Sequence, residues 1–186
     1  MAVKRGRLKL LLILALFAAP FLLADLAFQY WKPERFGNYG ELVEAVELRP
    51  AGLQAADGSP FDLASLRGKW VLLLVQAGDC DDACRQNLYL MRQVRQATGR
   101  EQGRIERLLI AERPLAGELA TEHVGLKQAR YGKLAALGSP LAGGDALGRV
   151  YLVDPLGRLV LRYPQAPDGS RMLKDVQRLL KYSQIG

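Results

Sequence analysis

Three rhythms of apolar and polar positions divide this chain. The first is unbroken: Leu10–Ala24 runs for fifteen uncharged, almost wholly apolar residues, and Leu26–Phe28 extends it past a single Asp25. As a helix, residues 10–28 would measure about 28 Å, close to the hydrocarbon thickness of a bilayer. The second rhythm is a short run bounded by Gly68 and Gly78, Trp70–Val75 (WVLLLV), which predicts a strand covered on both faces, as in a parallel sheet. The third is helical. After Asp79, Asp81 and Asp82, residues that cap helices and favour the positive end of the dipole, Leu88, Met91, Val94 and Ala97 recur at helical spacing with Arg85, Arg92, Arg95 and Gln96 between them. This helix should run to about Thr98, with Gly99 stopping it.

Downstream, Arg104–Ala111 (RIERLLIA) predicts a second strand, Leu115–Glu122 a short helix and Leu126–Tyr131 a third strand. Lys133–Leu137 reads as one helical turn, before a Gly/Pro-rich loop over Gly138–Gly148. Arg149–Val153 and Leu159–Tyr163 are strands joined by the turn Asp154-Pro155-Leu156-Gly157. Asp168 or Ser170 caps a last helix whose Leu173, Val176, Leu179 and Leu180 form one stripe. Alternating strands and helices ending in a hairpin and a helix make an α/β sandwich order.

Upstream of the central strand, Pro33, Gly37, Gly40, Pro50 and Gly52 break residues 29–58 into a connector. Its Glu41, Glu44 and Glu47 predict a solvated face, and Asp57-Gly58 a tight turn within a small hairpin over Leu53–Phe61. The expected organisation is a basic terminus at 1–9, a single transmembrane anchor at 10–28, the connector at 29–58 and one folded domain at 59–186.

Charge supports that layout. Lys4, Arg5, Arg7 and Lys9 carry four of the net +7 of this 186-residue chain, which leaves +3 for the rest and gives a nucleic-acid partner little support. The basic cluster predicts a cytoplasmic N-terminus, and Tyr30 and Trp31 follow the run where an aromatic belt belongs. A cleaved signal peptide has a similar profile, but no Ala-x-Ala site closes the run: Ala24 has Leu22 two residues before it, and Ala27 has Asp25. The expected location is a bacterial inner membrane, crossed once, with the C-terminal domain periplasmic.

The chemistry concentrates in two cysteines, Cys80 and Cys84, the only ones in the chain. At i and i+4 their side chains can share a helix face, which suits two sulfurs closing on one soft metal ion, or two thiols forming a disulfide. A purely structural staple across so short a loop would restrict the unfolded chain little. Metal binding, redox exchange and a passive disulfide all remain open on the residues alone.

With these motifs in place, residues 59–186 resemble the thioredoxin-like superfamily, and within it the Sco family of membrane-anchored copper proteins that help assemble cytochrome c oxidase. The resemblance rests on Phe61-Asp62-Leu63 with Leu66-Arg67-Gly68-Lys69, on Cys80-x-x-x-Cys84, on Tyr151-Leu152-Val153-Asp154-Pro155-x-Gly157 and on the terminal helix. The chain is also similar to small membrane proteins of bacterial oxidase-assembly gene groups, through Asn38–Leu42 (NYGEL) and the text from Cys80 to Arg95. The resemblance implies a thioredoxin-like fold, a central mixed sheet flanked by helices, following the N-terminal transmembrane helix. It implies an assembly factor in which Cys80 and Cys84 present Cu(I) or reducing equivalents to a cytochrome c oxidase subunit, or act with another assembly factor. Asp79, Asp81 and Asp82 would tune the pair. Copper delivery of this kind is ligand exchange and not turnover.

The sequence departs from the Sco pattern at two points. The loop that would hold a third, histidine ligand reads Gly143-Gly144-Asp145-Ala146-Leu147-Gly148, and Arg85 stands where a proline follows the second cysteine. His123, the only histidine, is expected at a helix end and not at copper. Two other readings stay open. The domain could be a thioredoxin-type thiol-disulfide oxidoreductase, although no proline directly precedes Arg149–Val153 and the three aspartates disfavour a thiolate. It could also be a membrane-tethered binding module with passive cysteines, using the 138–148 loop or Trp31 and Tyr39 as docking surface.

Overall fold

A computed structural model describes residues 2–30, 37–183 and 185, with side chains left undescribed at 2–6, 8, 10, 11 and 27–30. Trp31 lies outside the described residues. The chain divides into two compact units, Met1–Gly37 and Asn38–Gly186. In the first, helix α1 spans Ala2–Tyr30 and contains Pro20. Leu12, Leu14, Leu16, Phe17 and Phe21 are exposed. Among the described residues no helix is long and apolar enough to cross a membrane, so the expected anchor stands on the sequence.

The second unit is built on a seven-stranded mixed sheet in the order β1-β7-β6-β3-β4-β5-β2. Its strands are β1 Glu41–Glu47, β2 Gln54–Ala55, β3 Trp70–Gln76, β4 Ile105–Ala111, β5 Leu126–Arg130, β6 Val150–Val153 and β7 Arg158–Arg162. The predicted central strand is β3, and every one of its residues is buried. It pairs in parallel with β4, Trp70 opposite Ile105 and Gln76 opposite Ala111, and antiparallel with β6. Helix α2, Asp82–Ala97, makes the crossover from β3 to β4, and α3, Gly117–Glu122, the one from β4 to β5. The last helix, α4, is Gly169–Tyr182. Asp168, not Ser170, caps it, accepting from Arg171 N at 2.9 Å.

Strand alternation sorts the core into two layers. Trp70, Leu72 and Leu74 join Leu88, Met91 and Val94 of α2 and Met172, Val176 and Leu180 of α4 on one face. Val71, Leu73 and Val75 face the other way, against Leu66, Leu137, Leu141 and Tyr151. That second face is covered by one-turn 3-10 segments at 63–66, 134–137 and 144–146 and by loops.

The compact unit begins well before residue 59. Residues 41–47, expected as connector, form edge strand β1, antiparallel to β7. Its acids are used, not merely solvated: Glu41 pairs with Arg162 at 2.7 Å, and Glu47 with both Arg49 and Arg67. The expected 53–61 hairpin is reduced to two-residue β2, which pairs with β5, and a bridge from Gln54 to Pro60.

Just before β1, the buried carboxylate of Asp175 on α4 accepts from Tyr39 N at 2.9 Å and Gly40 N at 2.8 Å. Gly40 is required by space, because a Cβ there would lie 3.0 Å from a ring carbon of Tyr163. Arg171 lies over the Tyr39 ring, 4.1 Å from its centroid. Tyr39 therefore belongs to the packing of the domain and not to a free docking surface.

Asp175→Ala would leave a buried and a part-buried N–H group without an acceptor, and should cost about 1–3 kcal/mol of unfolding free energy. Denaturant titration measures the loss, and faster amide exchange at Tyr39 and Gly40 locates it.

Candidate functional site

Both cysteines lie beyond the C-terminal end of β3, where that strand hands over to α2. Because the strand is buried to its last residue, Gln76 ends it with a polar side chain in the interior. The amide turns to the loop, and Nε2 donates to Ala77 O at 3.2 Å and Asp79 O at 3.3 Å. Just after the parallel neighbour β4, Glu112 accepts from Gly78 N at 3.0 Å, and Arg113 pairs with Asp79 at 3.0 Å. Gly78 takes φ +64°, a conformation that favours glycine. Three side chains, Gln76 at the end of β3 and Glu112 and Arg113 just after β4, thus fix the approach to Cys80.

Helix α2 starts later than an i, i+4 helical pair requires. Asp81 is its N-cap, in extended conformation, and its Oδ1 accepts from Cys84 N at 2.8 Å. Cys80 therefore lies in the loop, and only Cys84 is helical. The two are brought together by the turn into the cap and form a disulfide, with Cα atoms 5.2 Å apart. Cys84 is fully buried in the core beneath α2, whereas Cys80 is half-buried. Cys84 is therefore the enclosed member of the pair and Cys80, which packs against the edge of the same core, the more exposed one.

Two of the three aspartates that crowd these cysteines in sequence are spoken for in three dimensions. Asp79 pairs with Arg113, Asp81 caps the helix and Asp82 lies 3.9 Å from Arg85. Their arrangement is that of a capped helix start with flanking arginines.

The 138–148 loop closes the site from the other side. Gly148 N donates to Val75 O at 2.8 Å. One turn beyond Cys84, the buried side chain of Asn87 donates to Gly148 O at 2.9 Å and Gln165 O at 3.4 Å. Within the loop, Asp145 is shared by Arg149 and Arg162, each at 3.0 Å. The Ser139–Pro140 peptide is cis.

His123 is elsewhere. It follows α3 and precedes β5, where Leu126 pairs with Arg107 of β4. The cysteine loop follows Gln76, paired with Ala111, so the two lie at opposite ends of β4, about 13 Å apart along a strand. His123 stands at the end of α3 as expected, but it is buried and not on the surface. Burial, then the charges of Arg92 and Arg107, lowers its basicity below the ordinary imidazole value. Among the described residues no group of three or more His, Cys, Asp or Glu side chains could hold a metal ion.

Gln76, Asn87, Glu112 and Arg113 carry the site without having stood out in the sequence. Asn87 had a signal, a polar side chain on the apolar stripe one turn after Cys84. Glu112 and Arg113 needed the parallel pairing of β3 with β4 to be placed at all.

The model of one protein family, the transmembrane-like, thioredoxin-like C-terminal domain, matches residues 70–183. Among solved structures, apo Sco1 from Thermus thermophilus is similar at 20% identity, TM-score 0.58, over 80% of this chain and 99% of that one. Yeast Sco1 with copper bound matches at 17% identity, TM-score 0.55, over 82% of this chain and 96% of that one. BsSco, described through a disulfide switch as a member of the Sco family of cytochrome c oxidase assembly proteins, matches at 15% identity, TM-score 0.51, over 83% and 99%. At such identities the likeness shows the fold. No curated protein matches the chain.

Asp81→Ala removes the cap at Cys84 N and should cost about 0.5–2 kcal/mol in urea unfolding, while Asp81→Asn, which keeps the acceptor, should be nearly neutral. Equal losses in both variants would assign the effect to charge and not to the cap.

Proposed function

The chain belongs to the transmembrane-like, thioredoxin-like C-terminal domain family, and from that premise we propose that it is a membrane-anchored, Sco-like assembly factor for cytochrome c oxidase. In this reading Cys80 and Cys84 present Cu(I), or reducing equivalents, to the copper-site cysteines of an oxidase subunit. The observation that carries it is the cysteine pair itself: a disulfide at the end of the central strand, with Cys80 half-buried and Cys84 fully buried. The fold shared with copper-bound yeast Sco1 supports the assignment.

Copper here is cargo. Once reduced, the pair offers two soft sulfur donors, which suit Cu(I) without a further ligand. A site with a third ligand from this chain gains no support, since His123 lies at the far end of the sheet and Asp145 is held by two arginines. Transfer to a subunit would proceed by exchange of thiolate ligands, with no change in oxidation state.

The redox half of the proposal follows from burial. An attacking thiolate on a partner dithiol would reach the Cys80 sulfur, break the Cys80–Cys84 bond and release Cys84 as the leaving thiolate. The partner's second thiolate then attacks the mixed disulfide and frees Cys80. Two electrons enter the pair, two protons are taken up and the partner leaves as a disulfide. Run backwards, the same exchange lets the reduced pair reduce an oxidised subunit.

The proposed membrane topology draws on the apolar run at 10–28 and the basic residues before it, which keep residues 1–9 cytoplasmic and the C-terminal domain periplasmic. Tethering confines the domain to the surface where an oxidase subunit lies, raising their effective concentration.

Cells carrying Cys80→Ser or Cys84→Ser should lose cytochrome c oxidase activity to the level of a deletion, measured in isolated membranes. Normal oxidase in the double variant would leave the domain only a scaffolding role. In the reduced wild-type chain, a thiol-alkylating reagent should modify Cys80 much faster than Cys84.

A further inference from the structure

Beneath α2 the apolar face of the sheet holds a cation. Ile105, Leu109 and Ala111 of β4 join the core there, and by strand alternation Arg107 projects to the same side. Arg107 is 3% exposed. Its Nη2 donates to Val124 O at 2.7 Å, but Nε and Nη1 are buried with no partner among the described residues. His123, adjoining Val124, is 5% exposed, and its Nδ1 is equally unpartnered.

The surroundings do not compensate the charge. Burial, then the charges of Arg95 and Arg92, makes Arg107 easier to deprotonate, and only Glu106 acts the other way. At His123, burial and then Arg92 and Arg107 act against protonation, opposed only by Glu122. Arg92 and Arg95 are committed to main-chain oxygens, Glu122 O at 2.7 Å and Ile105 O at 2.7 Å. A guanidinium taken out of water with two donors unused and no carboxylate hydrogen-bonded to it among the described residues is a costly element of a core. The cost is offset when an anion takes the place of the missing carboxylate.

We propose that Arg107 and His123 form a binding site for a small monovalent inorganic anion of the chloride class. Both groups are more than nine-tenths buried, which excludes a macromolecular ligand and disfavours a bulky oxyanion. One guanidinium beside a neutral imidazole balances a single negative charge, and Arg107 Nε, Arg107 Nη1 and His123 Nδ1 supply N–H donors. The site lies at the opposite end of β4 from the disulfide and owes nothing to the cysteines.

Because His123 is the only histidine of the chain, its ring protons report on the site without ambiguity. The experiment is an NMR pH titration of His123 in the full-length protein in detergent micelles. Sodium chloride is compared with sodium gluconate, whose anion is too large to enter, at equal ionic strength. Bound chloride favours the imidazolium, so the midpoint of the titration should be higher in chloride, and the shift should saturate with concentration. The thermal unfolding midpoint, measured where His123 is neutral, should rise in step by a few degrees. Arg107→Met replaces the buried cation by an apolar chain of similar length and should lose both effects. Identical behaviour of the wild type in the two salts overturns the proposal, as does a chloride effect that survives in Arg107→Met. Should that variant not fold, chlorine-35 line broadening by the wild-type chain, displaced by bromide, supports the site, and its absence overturns it.

Discussion

The disulfide end of the domain depends on one constraint, the burial of β3 on both faces and along both edges. Leu72 to Val75 have no exposed surface at all. A one-residue slip would draw Lys69 or Gln76 into positions where apolar side chains, each contributing about 1.5–3 kcal/mol, are now enclosed. The strand therefore ends at a defined point, and Gln76, Glu112 and Arg113 hold the loop that leaves it. The disulfide inherits its position from that anchorage. It stands at the end of the fully buried strand although neither cysteine belongs to a strand.

Electrostatics around the pair follow from the same geometry. Read along the chain, three aspartates surround the cysteines and argue against a thiolate. In the folded domain one is paired with Arg113, one is spent on the helix cap and one stands beside Arg85. Opposite, the loop before β6 presents Asp145 clamped by Arg149 and Arg162 in the region where the Sco resemblance would call for a histidine. The site therefore offers sulfur, arginine and engaged carboxylates. Such a setting suits two-sulfur chemistry better than a three-ligand metal centre, and the burial of Cys84 gives that chemistry a direction of approach, through Cys80.

Elements with a strong rhythm were legible in the sequence. The unbroken run of β3, the apolar stripes of α2 and α4 and the hairpin turn at 154–157 each leave a local pattern, and the structure places all of them within a residue or two of expectation. Strand β1 was not legible, because its register shifts between Leu42 and Val46 and Glu41 finds its arginine, Arg162, far along the chain. The cysteines were found at once, but their geometry was read as helical, since the spacing alone does not show that Asp81 starts the helix between them. Arg107 was hidden for a related reason. A charged residue in the middle of RIERLLIA reads as the solvent side of a strand until α2 is seen to cover it.

The central claim, that the Cys80–Cys84 pair carries copper, is tested most directly by anaerobic titration of the reduced full-length protein with Cu(I) in the presence of a competing chelator. The Cys80→Ser/Cys84→Ser chain serves as control. The account predicts one tightly held ion per chain, lost in the control and unaffected by His123→Ala. No retained copper, or copper retained equally without the cysteines, would contradict it.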